Sequence, residues 1–301
     1  MTTVVALGGN ALIRAGDRGT AAEQASRLRE TADALGPLLR EGDVVITHGN
    51  GPQVGSEVLR QEQAAKEVPP LPLYLAVAQT QGLIGSLIET ELGPSAGRPI
   101  ACILTHVVVA EDDPAFERPT KPIGPFYSSE QAGTLERERG WQLVEEAGRG
   151  WRRAVPSPAP LEVVELEQVR ELLAAGTIPV ACGGGGIPVV RRGGRLRGAD
   201  AVIDKDRASA VLAAGLGAGR LVILTDVPAV MRGLGTPDEE ELRELTPEQA
   251  EKLLPDLAEG SMRPKVEAAV AVARSGGEAI ITALDRVEDA LAGRAGTRIT
   301  L

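Results

Sequence analysis

Short runs of β-branched and aliphatic residues alternate with helical stretches along nearly the whole chain, and three of those runs stop directly on glycine clusters. The clusters are Gly8, Gly9 and Asn10; Gly49, Asn50 and Gly51; and Gly183, Gly184, Gly185 and Gly186. This alternation predicts an α/β fold, a three-layer sandwich around a mostly parallel open sheet covered by helices on both faces. In such a sheet the strand ends face one crevice, so the turns that follow them converge in space.

The first unit reads as a strand over 3–7, a turn at the first cluster, and a helix over 21–40 closed near Gly42. A strand over 44–47 ends in His48 and the second cluster, with Pro52 well placed at a helix start. A helical period runs through 73–92, and 100–109 reads as one buried strand. Further on, 167–175 predicts a helix, 178–182 a strand, and 187–191 with 195–197 a hairpin about Gly193 and Gly194. Asp204, Lys205 and Asp206 open a helix that runs to Leu216, and 221–224 is a strand ending in Thr225 and Asp226. Past an acidic stretch over 238–244, a helix begins near Pro264 and ends at Gly276, before a strand over 279–282.

The segment 111–160 breaks the pattern. It is rich in proline, has a glycine turn at 148–150 between two short strands, shows almost no helical period, and carries Phe116, Phe126, Tyr127, Trp141 and Trp151. A disordered linker would not usually hold those rings, so the segment reads as an inserted, protruding subdomain or lid. Aromatics are only 2 % of the chain against 43 % hydrophobic residues, which leaves Val, Leu, Ile and Ala to build the core under the helices. At 301 residues the chain buries roughly three quarters of its unfolded surface, enough for one large domain or two lobes sharing a sheet.

A formal net charge of −10 argues against a broad nucleic-acid surface and leaves room for a small cationic pocket. Cys102 and Cys182 lie in apolar runs with no metal-ligand spacing, so a reduced compartment and no protein metal site are expected. The N-terminus lacks the tripartite pattern of a signal peptide and no apolar run is long enough to span a bilayer; a cytoplasmic protein with no membrane partner follows.

Only five of the 32 basic residues are lysines. Lys66 and Lys252 follow Glu62 and Glu248 by four residues, the spacing of solvated helical ion pairs. Lys121, Lys205 and Lys265 instead sit in distinctive segments, where a compact ammonium serves and a planar guanidinium does not. Glycine turns let backbone amides approach an anion, and a following helix adds its positive end. Each cluster alone also reads as a plain tight turn, and none matches the P-loop or the dinucleotide-binding fingerprint. Lys265 at a helix start opposes the dipole at a cost of roughly 0.3 to 1 kcal/mol, which an anionic ligand would offset. Asp206 in a first helical turn is favoured by capping and dipole effects whatever the function.

Eight stretches in order, VALGGNAL (5–12), THGNGPQVG (47–55), DDPAFERPTKPIGPFY (112–127), GWRRAVPSP (150–158), ACGGGGIP (181–188), AVIDKDR (201–207), LTDV (224–227) and GSMRPKVEA (260–268), resemble those of carbamate kinases, in the amino acid kinase superfamily. The likeness runs from residue 4 to about residue 299. It implies one amino acid kinase fold over 1–301, with a carbamate lobe at 1–110 and 161–200, a lid at 111–160 and a nucleotide lobe at 201–301.

The activity it implies is reversible phosphoryl transfer between carbamoyl phosphate and ADP, giving ATP and carbamate, with Mg²⁺ held mainly by the nucleotide phosphates. Carbamate is already an anion, so catalysis needs positioning and charge neutralisation and no strong general base. By the resemblance, Gly8, Gly9, Asn10, Gly49, Asn50 and Gly51 hold the transferring group, and Gly183, Gly184, Gly185 and Gly186 floor the pocket. Lys205 and Lys265 neutralise phosphate oxygens, Asp206 holds the lysines, and Lys121 reaches in from the lid. Thr225, Asp226, Val227, Met231, Pro264 and Lys265 border the nucleotide, and a homodimer is implied.

Four positions depart from the family pattern. Ala6 stands where many superfamily members, though not carbamate kinases, carry lysine, with Lys205 as its replacement. Met231 replaces an expected tyrosine near the adenine and is followed by a short segment, Arg263 replaces a glycine, and His106 a glutamine. His48 flanks a glycine turn within reach of substrate, whereas His106 ends an apolar strand and reads as structural. The alternatives are a kinase for another small carboxylate, such as acetylglutamate, and a catalytically silent nucleotide sensor. The 119–127 segment with Lys121 argues against the first, and retention of Lys205, Asp206 and Lys265 against the second.

Overall fold

The computed structural model describes residues 1–301 except 15, 147, 234–238 and 259, and at Asn10 the main chain only. The first residue of the acidic stretch, Asp238, and the short segment after Met231 therefore fall wholly or partly outside the described residues.

The chain opens on β1 (Thr3–Leu7), which is fully buried, and α1 (Ala21–Glu41). A reciprocal capping box starts α1: the Glu23 amide donates to Thr20 Oγ1 at 3.3 Å and the Thr20 amide to the Glu23 carboxylate at 2.8 Å. Next come β2 (Val44–His48), α2 (Gly51–Ala64), α3 (Leu73–Ala96), β3 (Ile100–Cys102) and β4 (His106–Val109). The single strand expected over 100–109 is thus two strands, and they lie in different sheets. Side chains capture the backbone at the break. Thr105 N–H donates to Gln81 Oε1 at 2.9 Å, and His106 N–H to Glu165 Oε2 at 2.7 Å, which takes both amides out of the ladder. His106 therefore begins a strand where the sequence suggested an end, and its ring pairs with Glu165 at 2.7 Å.

The inserted segment folds as β5 (Lys121–Tyr127), α4 (Ser129–Arg139), β6 (Leu143–Glu146) and β7 (Gly150–Val155), with the strands in one antiparallel sheet ordered β5-β7-β6. Helix α4 is absent from the sequence reading. It buries only Ala132 and so writes no apolar stripe; a Ser128/Gln131 capping box and left-handed Gly140 bound it instead. The segment docks on α2 backbone to backbone, where a Cβ on Gly55 would lie 2.0 Å from the Gly124 nitrogen.

The chain returns through β8 (Pro160–Val163), α5 (Leu166–Ala174), β9 (Ile178–Val180), β10 (Ile187–Arg192), β11 (Arg195–Gly198), α6 (Lys205–Leu216) and β12 (Arg220–Thr225). The last part holds β13 (Val230–Arg232), β14 (Glu240–Leu242), β15 (Glu244–Leu245), α7 (Pro247–Leu253), α8 (Met262–Arg274), β16 (Glu278–Ala283), α9 (Val287–Leu291) and β17 (Thr297–Ile299). The main sheet has eight strands ordered β15-β17-β16-β12-β1-β2-β9-β3. From β16 through to β3 every pairing is parallel, and β17 runs antiparallel to β16.

Alternation along the strands divides the core. Val4, Ala6, Val45, Leu221 and Ile223 face a layer containing Ala208, Leu212, Val266 and Ala269 of α6 and α8. Val5, Leu7, Val44, Ile46 and Val222 face Leu28, Leu35, Ile84, Ile88 and Val287 of α1, α3 and α9. This is the three-layer sandwich, built almost wholly from aliphatic side chains. Among the described residues no helix is long and apolar enough to cross a membrane.

Candidate active site

The carboxyl ends of β1 and β2, the glycine turn after β9 and the start of α6 meet at a cavity of about 230 Å³, closed on another side by the inserted subdomain and the approach to α8. Gly9, Gly49, Asn50, Gly51 and Gly184 line it, as do Lys121, Lys205, Asp206 and Lys265. Lys121 and Lys265 are 144 positions apart in a chain whose order of strands is not its order in space, and the crossovers bring them together.

The other anticipated glycines serve the packing beneath. A Cβ on Gly8 would meet the Leu224 carbonyl oxygen at 2.4 Å, on Gly183 the His48 Nε2 at 2.4 Å, and on Gly185 the Ile203 carbonyl oxygen at 2.2 Å. One on Gly186 would meet Val107 at 2.2 Å. The third turn enters through Cys182 at φ 50° and continues with positive φ at Gly184, Gly185 and Gly186, a path that glycine alone follows without strain. The Asn10 side chain lies outside what is described. Thr225, Asp226 and Val227 sit where β12 ends, Met231 in β13 and Pro264 in the first turn of α8. None of these five lines the cavity, while Lys265 does.

Two aspartates organise the lysines. Asp206 receives Lys205 Nζ on one carboxylate oxygen at 2.5 Å and Lys265 Nζ on the other at 3.1 Å. Lys265 also donates to the Ser261 carbonyl at 3.1 Å. Asp204 uses Oδ1 to cap α6, accepting from the Asp206 and Arg207 amides at 2.9 and 3.2 Å, and Oδ2 to pair with Lys121 Nζ. One residue thus caps a helix of the main body and clasps a cation of the inserted subdomain.

Burial and charge pull these groups in opposite directions. Burial acts to raise the Asp204 and Asp206 carboxyls, but the surrounding ammonium groups win and hold both below the ordinary range, Lys121 foremost for Asp204 and Lys205 for Asp206. Burial lowers Lys205, against the pull of Asp206. Lys265 ends up raised, because the attraction of Asp206, Asp204 and Asp226 exceeds its burial.

His48 is fully buried. Its Nδ1 lies 2.9 Å from the Gly49 carbonyl oxygen, which makes Nδ1 the protonated nitrogen, and its Nε2 has no hydrogen-bond partner among the described residues. Burial, aided by the nearby Lys205 charge, pushes it down to about 4 against the pull of the Gly49 carbonyl, so the ring is neutral at physiological pH.

Sequence reasoning missed Asp204, Glu146, Arg149 and Arg152, all of which line the cavity. Asp204 was legible only as a helix opener. In the Arg152-Arg153 pair the period of two decides: Arg152 is buried at the pocket, while Arg153 pairs outward with Glu62 at 2.8 Å. The lining holds five cationic and three anionic side chains in a chain of net charge −10. Such a lining selects a small polyanion.

The model of the amino acid kinase family matches residues 1–283. A carbamate kinase of Thermococcus kodakarensis is 44% identical over 308 aligned residues, covering 98% of this chain and 98% of that protein. Among solved structures, carbamate kinase from Giardia lamblia bound to citric acid superposes with a TM-score of 0.94 at 38% identity, covering 99% of this chain and 98% of the other. The same enzyme bound to AMP-PNP superposes with a TM-score of 0.89 over the same shares.

Proposed function

Since the chain belongs to the amino acid kinase family and, within it, to the carbamate kinases, we infer that its cavity transfers a phosphoryl group between carbamoyl phosphate and ADP, yielding ATP and carbamate. The observation that carries this reading to the residues is the bridge of Lys205 and Lys265 on Asp206, beside the Gly49-Asn50-Gly51 turn at the start of α2.

In this reading the turns after β1 and β2 hold the carbamoyl end, with the Gly51 amide at the positive end of α2. Lys205 and Lys265 carry the charge of the oxygens around the moving phosphorus, fixed in place by Asp206 and so needing no reorganisation during transfer. Lys121 comes from the inserted subdomain, whose sheet acts as the lid, and its grip on Asp204 sets the closed position. The carbamate lobe spans 1–110 and 161–200, the lid 111–160 and the nucleotide lobe 201–301. His48 is neutral and engaged with Gly49, so it orders the turn and moves no proton.

The AMP-PNP complex of the Giardia enzyme supports nucleotide binding, and in this reading the nucleotide enters from the β12 and α8 side, past Thr225, Asp226, Val227, Met231 and Pro264. Mg²⁺ accompanies it and draws charge off the phosphates when bound. The residues present fit an ion carried by those phosphates: both aspartates at the pocket are committed to lysines, and among the described residues no group of three His, Cys, Asp or Glu could hold a metal. We place the enzyme in the cytoplasm as a homodimer.

The test is coupled ATP production from ADP, carbamoyl phosphate and Mg²⁺ by the purified protein. We expect turnover with that donor and none when acetylglutamate is offered with ATP; the reverse preference would overturn the assignment.

A further inference from the structure

We propose that Arg152 is an anion-binding residue of this pocket, its Nη2 donating to an oxygen of the substrate seated at the N-terminus of α2. The proposal rests on the reading of the cavity as the carbamoyl phosphate site.

Arg152 is 9% exposed. Two of its three nitrogens have partners: Nε donates to the Gly124 carbonyl at 2.9 Å and Nη1 to Glu146 Oε1 at 3.0 Å. Nη2 is buried with no hydrogen-bond partner among the described residues. A buried guanidinium donor without an acceptor is costly, and native folds rarely keep one without a use. It lies 3.7 Å from the point a Cβ on Gly51 would occupy, against the first residue of α2. That helix end also lacks its usual acceptor. Asn50 is the N-cap residue but its side-chain oxygen makes no capping bond, while its amide nitrogen donates to Thr80 Oγ1 at 2.9 Å. An unpartnered cationic donor and an uncapped positive helix end therefore face each other across the same wall of the cavity.

The local charge agrees. Glu146 is shared between Arg152 at 3.0 Å and Arg149 at 3.5 Å, so two guanidinium groups have one carboxylate between them. Both stack on the Phe126 ring, at 5.2 and 4.6 Å from its centre, which covers their faces, so that Arg152 meets a ligand by its remaining edge donor, Nη2. Arg152 belongs to β7 of the lid and Gly51 to the main body. An anion bound by both fastens one to the other.

Inorganic phosphate is the probe, because its binding needs no turnover. In calorimetric titration Arg152→Lys, which keeps the charge and loses the fork, weakens phosphate binding by about tenfold or more. The same variant raises KM for carbamoyl phosphate and leaves ADP affinity unchanged. Arg153→Lys, in the same strand but turned toward Glu62 and Trp141, keeps wild-type phosphate affinity. Glu146→Gln, which removes the competing charge, tightens phosphate binding. Wild-type affinity in Arg152→Lys would overturn the proposal, and so would an equal loss in Arg153→Lys or a loss in Glu146→Gln, since both point to lid stability alone. If the wild-type protein fails to use carbamoyl phosphate while phosphate binding still depends on Arg152, the assigned reaction falls and the anion site stands.

Discussion

Asp206 carries an ammonium on each carboxylate oxygen, and that geometry makes the lysines poor candidates for exchange with arginine. A guanidinium at 265 would reach Asp206 as a fork and displace Lys205 from its share of the carboxylate. We therefore expect Lys265→Arg to lower kcat by about a hundredfold, the scale of losing one aligned charge donor, with a wild-type melting temperature. His48 gives a prediction about pH. Its folded pKa of about 4 lies below the ordinary 6.5, so the unfolded chain binds the proton more readily than the native protein. The stability tied to it is complete above pH 6.5 and drains away as pH falls toward 4, by about 1.4 kcal/mol per unit and about 3 kcal/mol in all. Replacing the ring by His48→Gln should flatten the denaturation free energy over that interval. The losses from Asp204 and Asp206 begin near the ordinary carboxyl pKa of about 3.9, where the unfolded chain starts to take up the proton, and continue below it because both carboxyls are held below the usual range in the native protein.

At the scale of elements, the contact between α2 and β5 is the most exacting. Gly55 and Gly124 meet without side chains, Gly124 at φ 78°. Gly55→Ala forces a methyl into backbone atoms that have no flexible end to yield, at a cost of about 1–3 kcal/mol to the docked lid. Limited proteolysis within α4, whose face is solvated, should run faster in that variant while the main sheet keeps its protection. The elements also mark what could be read from the chain alone. Strands β1, β2 and β12 announce themselves because each carries an unbroken aliphatic run, residues 4–7, 44–46 and 221–224, and stops at a turn. Helix α4 does not, since caps hold it and no core-facing stripe exists. The break at residues 103–105 does not either, because it depends on Gln81 and Glu165, which reach the backbone from other parts of the fold.

Over the whole molecule, the convergence of the glycine turns follows from the parallel order of strands, and that much was legible. Which glycines would face the cavity was not: Gly184 lines it while Gly183 and Gly185 spare room for His48 and Ile203, a choice made by neighbours more than 130 and about 20 positions away. The lysines stood out by their rarity, whereas Arg152 was hidden among the many arginines, and only its buried, unpaired nitrogen distinguishes it. The aromatic residues have the opposite distribution. Both tryptophans, Trp141 and Trp151, lie in the inserted subdomain, Trp141 with Arg139 and Arg153 stacked on it at 5.1 and 4.5 Å, and the rest of the chain has none. Tryptophan emission, excited at a wavelength that Tyr74 of α3 does not absorb, therefore originates in the lid alone, so a stopped-flow trace on mixing with carbamoyl phosphate times lid movement without any added dye.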